Sequence, residues 1–285
     1  MLIDVISDTH FDSHFTELEP SDDKVIAFWK QSDPKADTLI IAGDIGHYNL
    51  QNFSILKSLR RHFYKNIVLV LGNHDYYIRE GVVKYFKNGN DALIAKTQEF
   101  SMSKERIEDF KNLCTQIKGV YLLDGDTIEI EGVKLGGAMG WYDGCYSQTF
   151  NSYAELQRAW QESMDDDIYI KPEIAFDGFL NIELAKIERV LVQTPDIMIT
   201  HVNPSIRPDH QHPIFKNDVS TGFYSYNGQK HINAFCGQYW IFGHTHFSAE
   251  FDIDGRFKLL TNALGYEKTF QCKTIEVING GGCLE

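Results

Sequence analysis

The amino-acid sequence predicts a layered α/β domain, with helices outside and strands packed between them, and three observations carry that expectation. Short runs rich in Ile and Val recur along the whole chain, amphipathic helical patterns separate them, and two turn signals beyond the first helices mark antiparallel hairpins. The runs are Leu2 to Ile6, Thr38 to Ala42, Ile67 to Leu71, Ile197 to Thr200 and Tyr239 to Phe242. Each is too short for a helix and stops at a polar residue or Gly, as a buried strand does. Helical spacing places Val25, Phe28 and Trp29 on one face, then Phe53, Leu56 and Leu59. Further on it groups Ile107, Phe110, Leu113 and Ile117, then Leu184, Ile187 and Leu191. The hairpins turn at Glu131-Gly132 and Asp254-Gly255, the latter a two-residue turn whose positive φ angles suit Gly and Asp. The number of sheets does not follow from these patterns.

A chain of 285 residues with 43% hydrophobic and 24% charged residues has the composition of a globular protein with a substantial core. No repeat, low-complexity tract or linker divides it, so one domain over 1–285 is expected. Stretches 76–104, 141–179 and 203–238 lack strand signals and are candidates for substrate-facing loops or a small cap, or else for surface padding. No run approaches the roughly 18 apolar residues of a membrane span, and Asp4 and Asp8 interrupt any signal-peptide core, so a cytoplasmic location is expected. The five cysteines are widely spaced and contain no C-x-x-C pair, which favours buried or inert thiols over a disulfide framework or zinc ribbon. A net charge of −13 disfavours long nucleic acids as partners, because their capture depends on Lys and Arg displacing counterions.

The strand runs end alike. Leu2 to Ile6 leads into Ser7-Asp8-Thr9-His10, Leu39 to Ala42 into Gly43-Asp44, and Ile67 to Leu71 into Gly72-Asn73-His74-Asp75. Ile197 to Thr200 then leads into His201, and Tyr239 to Phe242 into Gly243-His244-Thr245-His246. Ligands of α/β sheets bind at the carboxyl ends of strands, so these loops can converge on one crevice. In an extended segment residues i and i+2 point the same way, which lets both side chains of D-x-H or H-x-H face one site. Gly43, Gly72 and Gly243 are read as permitting the sharp turns that bring the side chains inward. A lone D-x-H or H-x-H means little; five such ends in order point to a metal centre.

The ordered set D-x-H, G-D, G-N-H-D, H and G-H-x-H resembles that of the calcineurin-like metallophosphoesterases. The likeness runs nearly end to end: Gly137 to Trp141 is similar to the Gly-Ala…Trp segment of bacterial members, and Asn262 to Tyr266 to their Asn-Pro-Arg-Gly-Tyr. The resemblance implies an α-β-β-α sandwich of mixed sheets with a dinuclear metal site at the carboxyl ends of the strands. By position, Asp8, His10, Asp44 and His246 would hold one metal and Asp44, Asn73, His201 and His244 the other, with Asp44 bridging. Carboxylate, amide oxygen and imidazole donors suit two divalent transition-metal ions, with Mn²⁺ expected first and Fe, Zn²⁺ or Ni²⁺ also compatible.

The implied reaction is hydrolysis of a phosphomonoester or phosphodiester by a hydroxide held between two metals. His74 would serve the departing oxygen without binding metal, and Asp75 would hold its other ring nitrogen and favour the charged form; Asp75 is also placed to bond backbone in its turn. His47, Tyr48, Asn49 and Arg207 are candidates for substrate contact, Arg207 because a guanidinium grips phosphate bidentately. His210 and His212 lie beyond a ligand motif in the same crevice, whereas His14, His62 and His231 have no such context. Trp141 either stacks on a base or packs in the core. Protein phosphatases of this family continue G-D-x-V-D-R-G, but Gly43 to Asn49 here reads G-D-I-G-H-Y-N, and the missing Arg counts against a phosphoprotein substrate. A small phosphoester is the expected partner, with a nuclease as the alternative enzyme and a non-catalytic scaffold as the alternative of a different class. No membrane partner is expected.

Overall fold

The computed structural model describes residues 1–78, 100–267 and 269–278. Two mixed sheets form its centre. The first has strand order β11-β1-β2-β3-β4, built from β1 (Leu2–Ile6), β2 (Thr38–Ala42), β3 (Asn66–Val70), β4 (Val120–Leu122) and β11 (Lys273–Glu276). The second has order β5-β6-β7-β8-β10-β9, from β5 (Asp126–Ile130), β6 (Val133–Gly137), β7 (Ile197–Ile199), β8 (Tyr239–Phe242), β9 (Ser248–Ile253) and β10 (Phe257–Asn262). The β1 to β4 neighbours run parallel, as do β6, β7, β8 and β10, while β11, β5 and β9 pair antiparallel at edges.

Side-chain alternation divides each central strand between two cores. Ile3, Val5, Ile40, Ala42, Val68 and Val70 of the first sheet meet Val133, Leu135, Ile197, Ile199, Ile241 and Leu260 of the second in a core without helical residues. Their neighbours Leu39, Ile41, Ile67, Leu69, Met198, Trp240, Phe242 and Leu259 face the other way, into the larger cluster that includes the helices. Burial on both faces explains why these strands read as unbroken apolar runs.

The α-helices among the described residues are α1 (Phe11–His14), α2 (Asp22–Trp29), α3 (Asn49–His62), α4 (Ser103–Thr115), α5 (Cys145–Gln148), α6 (Tyr153–Ser163), α7 (Asp166–Tyr169), α8 (Leu180–Leu191) and α9 (Gln229–Ala234). Buried Val25 and Trp29, Ile55, Leu56 and Leu59, and Ile107 and Phe110 give the first sheet its outer layer, and Ile187 and Val190 of α8 contribute to that of the second. Both expected hairpins are present, β5–β6 and β9–β10, with positive φ at both turn residues: 52° and 79° at Glu131 and Gly132, 54° and 70° at Asp254 and Gly255. The result is the α-β-β-α arrangement of mixed sheets.

Of the stretches without strand signals, 76–104 lies mostly outside the described residues. The other two pack on each other: Tyr146 OH donates to the Lys216 carbonyl at 2.5 Å and Ser147 Oγ to that of Val219 at 2.8 Å. Trp141 belongs to the core, fully buried, with its indole N–H on the Phe176 carbonyl at 2.6 Å. Cys114, Cys145 and Cys272 are free, but Cys236 is disulfide-bonded, which corrects the reading of all five as inert thiols. It is exposed just after α9. Among the described residues no helix is long and apolar enough to cross a membrane.

Candidate metal centre

The carboxyl ends of β1, β2 and β3 meet those of β7 and β8, and hydrogen bonds tie the five loops together. The His244 backbone N–H donates to both Asp8 carboxylate oxygens, at 2.9 and 3.1 Å, joining one sheet to the other. The His74 backbone N–H donates to Asp44 Oδ1 at 2.9 Å, and the Gly243 N–H to the His201 carbonyl at 2.9 Å. The backbone turns abruptly where the side chains converge. Asp8, His10, Asp44, His244 and His246 all have φ between 37° and 67°, a left-handed conformation that disfavours any residue with a Cβ. Such strain persists where the surrounding fold over-determines it, and it clusters at functional sites.

The glycines act differently from the expectation. Gly43, with φ 85°, makes a true turn, but Gly72 is extended at φ −115° and ψ 179°. Gly72 is required by proximity: a Cβ there would lie 2.1 Å from Asp44 Oδ1. The same Cβ would meet the Asp44 backbone nitrogen, so Gly72→Ala is expected to shift the end of β2 together with the Asp44 carboxylate, lowering bound metal and loosening the fold. Elemental analysis together with circular dichroism checks this; undiminished metal content would refute it.

Asp8, His10, Asp44 and His246 offer ligand atoms within 4.8 Å of one another, and Asp44, His201 and His244 do the same. Asp44 is common to both groups. His10 Nε2 lies 3.7 Å and His201 Nε2 3.3 Å from Asp44 Oδ2, and His246 Nε2 lies 3.4 Å from Asp8 Oδ1. Asn73 joins the second group through Oδ1, which lies 3.1 Å from His201 Nε2. The buried Asp44 Oδ2 has the ring nitrogens of His201, His10 and His74 around it at 3.3, 3.7 and 4.0 Å, none in good hydrogen-bond geometry. A buried carboxylate oxygen left so is costly, and divalent cations are the partner this donor set fits. The ring nitrogens are sorted accordingly. His201 uses Nδ1 on the Ala42 carbonyl at 2.9 Å and His244 uses Nε2 on the Phe223 carbonyl at 2.9 Å, which leaves the opposite nitrogen of each as the one that can serve a cation.

Charge in the cluster follows the same logic. Burial opposes ionisation of Asp8, yet His246 overrides it and holds the carboxyl at about 2. Burial likewise opposes ionisation of Asp44, and His201 and His74 outweigh it, leaving the carboxyl well below the ordinary range. Burial lowers His244 to about 4, with His201 adding to the effect, and it also lowers His10. His201 is lifted to about 9, because Asp44 outweighs its burial, and His246 is raised as well, because its bond to Asp8 outweighs its own burial. Anionic carboxylates and imidazoles are a donor set for cations, and a proton held on His201 or His246 must leave as a metal enters.

His74 lines the cavity above this cluster, with Nε2 4.0 Å from Asp44 Oδ2. Asp75 does not hold its ring. The Asp75 carboxylate instead accepts backbone N–H bonds from Gly72 at 2.8 Å, Ile45 at 3.2 Å and Gly46 at 3.5 Å, the role an acid in a turn commonly takes. The partner of His74 Nδ1 is His47 Nε2 at 3.1 Å, and His47 Nδ1 bonds Asp12 Oδ2 at 2.7 Å. Burial opposes ionisation of Asp12, but His47 holds it well below its usual range, so an anion terminates the chain. Sequence reasoning missed Asp12, although it continues the alternation of Asp8 and His10 by one more step.

Not every substrate candidate reaches the cavity. Asn49 is buried, its amide donating to the Arg106 carbonyl at 2.7 Å and to Asp109 at 2.9 Å. Arg207 is held bidentately by Asp209, at 3.1 and 2.7 Å, away from the cavity lining. His210 is buried against Ser205 Oγ at 2.8 Å, whereas His212 lines the cavity. The cavity measures about 430 Å³ and is walled by Tyr77, Met164, His212, Phe215, Tyr224 and Tyr266 around the metal cluster. Tyr266 also stacks on His10, with centroids 4.9 Å apart.

The fold has known relatives. A phosphopantetheinyl hydrolase from Mycobacterium tuberculosis superposes with a TM-score of 0.64 at 19% identity, covering 93% of this chain and 89% of that one. An uncharacterized protein of Acanthamoeba polyphaga mimivirus is 20% identical over 251 residues, 80% of this chain and 78% of its own. The profile of the calcineurin-like phosphoesterases matches residues 1–248, a span that contains all five strand-end motifs. A hydrolase of phosphoester bonds follows from that match: the chain belongs to the calcineurin-like phosphoesterase family.

Proposed function

We propose that this protein hydrolyses a small phosphomonoester or phosphodiester at a two-metal centre, and the Asp44 carboxylate shared between two groups of donors carries the reading. Asp8, His10, Asp44 and His246 would hold one ion, and Asp44, Asn73, His201 and His244 the other. When bound, such a pair would supply an activated water and offset charge on the phosphoryl oxygens. His74 donates to the departing oxygen, from the side of the cavity where its Nε2 faces the cluster. His47 and Asp12 fix the plane of that ring through Nδ1.

The shape of the cavity supports a small substrate. Among the described residues lining it none is Lys or Arg, so the site offers a polyanion no cationic track, in keeping with the net charge of −13. Tyr, Phe and Met walls instead suit an apolar or aromatic group on the ester. The imidazole-rich donor set favours Mn²⁺ or another transition metal over Mg²⁺ or Ca²⁺, which prefer all-oxygen shells.

Chelation is expected to abolish hydrolysis, and added Mn²⁺ to restore it at two ions per chain. The measurement is phosphoester turnover alongside elemental analysis, on monoesters, diesters, cyclic nucleotides and short nucleic acids. Activity that survives complete removal of metal would overturn the proposal.

A further inference from the structure

We infer that Asp166, on α7 within the 141–179 stretch, is a positioning residue that fixes which end of the Asn73 amide faces the metal centre; this rests on the two-metal reading. An asparagine amide has nearly the same shape either way round, but only its oxygen can bind a cation. Its orientation must come from outside the metal cluster. The Asp166 side chain is completely buried, and its Oδ1 accepts from Asn73 Nδ2 at 2.9 Å and from Tyr77 OH at 2.9 Å. Its other oxygen accepts from Tyr142 OH at 2.7 Å, and Tyr142 in turn takes the Trp160 indole N–H at 2.6 Å.

A carboxylate offers only acceptors, so it draws the NH₂ of Asn73 to its own side and leaves Oδ1 pointing at His201 Nε2, 3.1 Å away. Turned round, the amide would set its oxygen against Asp166 in a buried place, an arrangement that leaves acceptors facing acceptors. The 141–179 stretch thus does more than border the cavity. Through Trp160, Tyr142 and Asp166 it reaches under the site and holds a residue of the G-N-H-D loop. Outer partners of this kind typically change metal affinity by about 10–100-fold when removed.

The test is a calorimetric Mn²⁺ titration of metal-free protein, with apo melting temperature recorded for each variant. Asp166→Ala is expected to weaken one of the two ions by about 10–100-fold, the same ion that Asn73→Ala weakens, and to spare the other. Asp166→Asn should keep most of the affinity, because its carbonyl oxygen can still accept from Asn73 and Tyr77 while its NH₂ donates to Tyr142 OH. A second arm does not rely on truncation. Asn73→Asp places two carboxylates face to face and should weaken that ion despite supplying an anionic donor, and Asp166→Asn should relieve the loss when combined with it. Unchanged affinities in Asp166→Ala, equal weakening of both ions, or additive losses in the Asn73→Asp pair would each overturn the inference. Wild-type protein that binds only one ion would overturn the two-metal reading itself, a result visible before any variant is made.

Discussion

Asp44→Ala is expected to lose both metal ions and to hydrolyse phosphoesters on the order of 10³-fold more slowly or worse. A single contact that stabilises developing charge is commonly worth about 10²–10³ in rate, and this substitution disturbs the whole cluster at once. Asp44 belongs to both donor groups, and its Oδ1 also receives the His74 backbone N–H. Asp8→Ala, by contrast, touches one group and should chiefly weaken one ion. Elemental analysis of both variants after Mn²⁺ saturation, with turnover measured on the same samples, separates bridge from single-site ligand. Equal loss of one ion in both variants would contradict the assignment.

His74→Ala should keep its metal and lose about 10²–10⁴ in kcat on esters with poor leaving groups. The reason lies in what the side chain touches. Asp44 is held by the backbone of residue 74, which Ala retains, while the imidazole itself projects into the cavity. An alkoxide or ribose oxygen departs badly without a proton, but a nitrophenolate hardly needs one, so nitrophenyl esters should suffer much less. The measurement is the ratio of wild-type to variant kcat on both substrate kinds, with metal content alongside. If the variant drops a metal, or slows both substrates alike, His74 does not act on the leaving group.

Much of the fold was legible because burial on both faces leaves little choice of residue. Ile40 points to one core and Ile41 to the other, so β2 reads as an unbroken apolar run, and the same holds for β3 and β8. The edges were not legible. Lys273 to Glu276 has no such run, and its pairing with β1 spans most of the chain, a contact no local pattern encodes. A capping box was visible but passed over: Ser152 Oγ accepts from the Glu155 N–H at 3.3 Å, and Glu155 returns a bond to the Ser152 N–H at 2.7 Å, at the start of α6.

At the site, the seven residues read as ligands converge because each is written into a short motif at a strand end. The supporting residues follow another rule. Asp166 stands in the run Asp165 to Asp167, where nothing local separates it from its neighbours, and only tertiary packing buries it against Asn73. Of the two roles open to Asp75, holding the His74 ring or bonding backbone in its turn, the structure takes the second, with the carboxylate against the N–H groups of Ile45 and Gly72.

The left-handed backbone at Asp8, His10, Asp44, His244 and His246 sets heat tolerance against chemistry. At His10 and His246, whose side chains bond no backbone group of another loop, glycine removes a conformational cost of about 1–2 kcal/mol, so a library selected for thermal survival without metal would drift toward glycine there. The variants that survived best would be the ones that had erased the centre. Laboratory evolution of this chain therefore has to select for turnover from the first round, because resistance to heat alone rewards the loss of what makes it an enzyme.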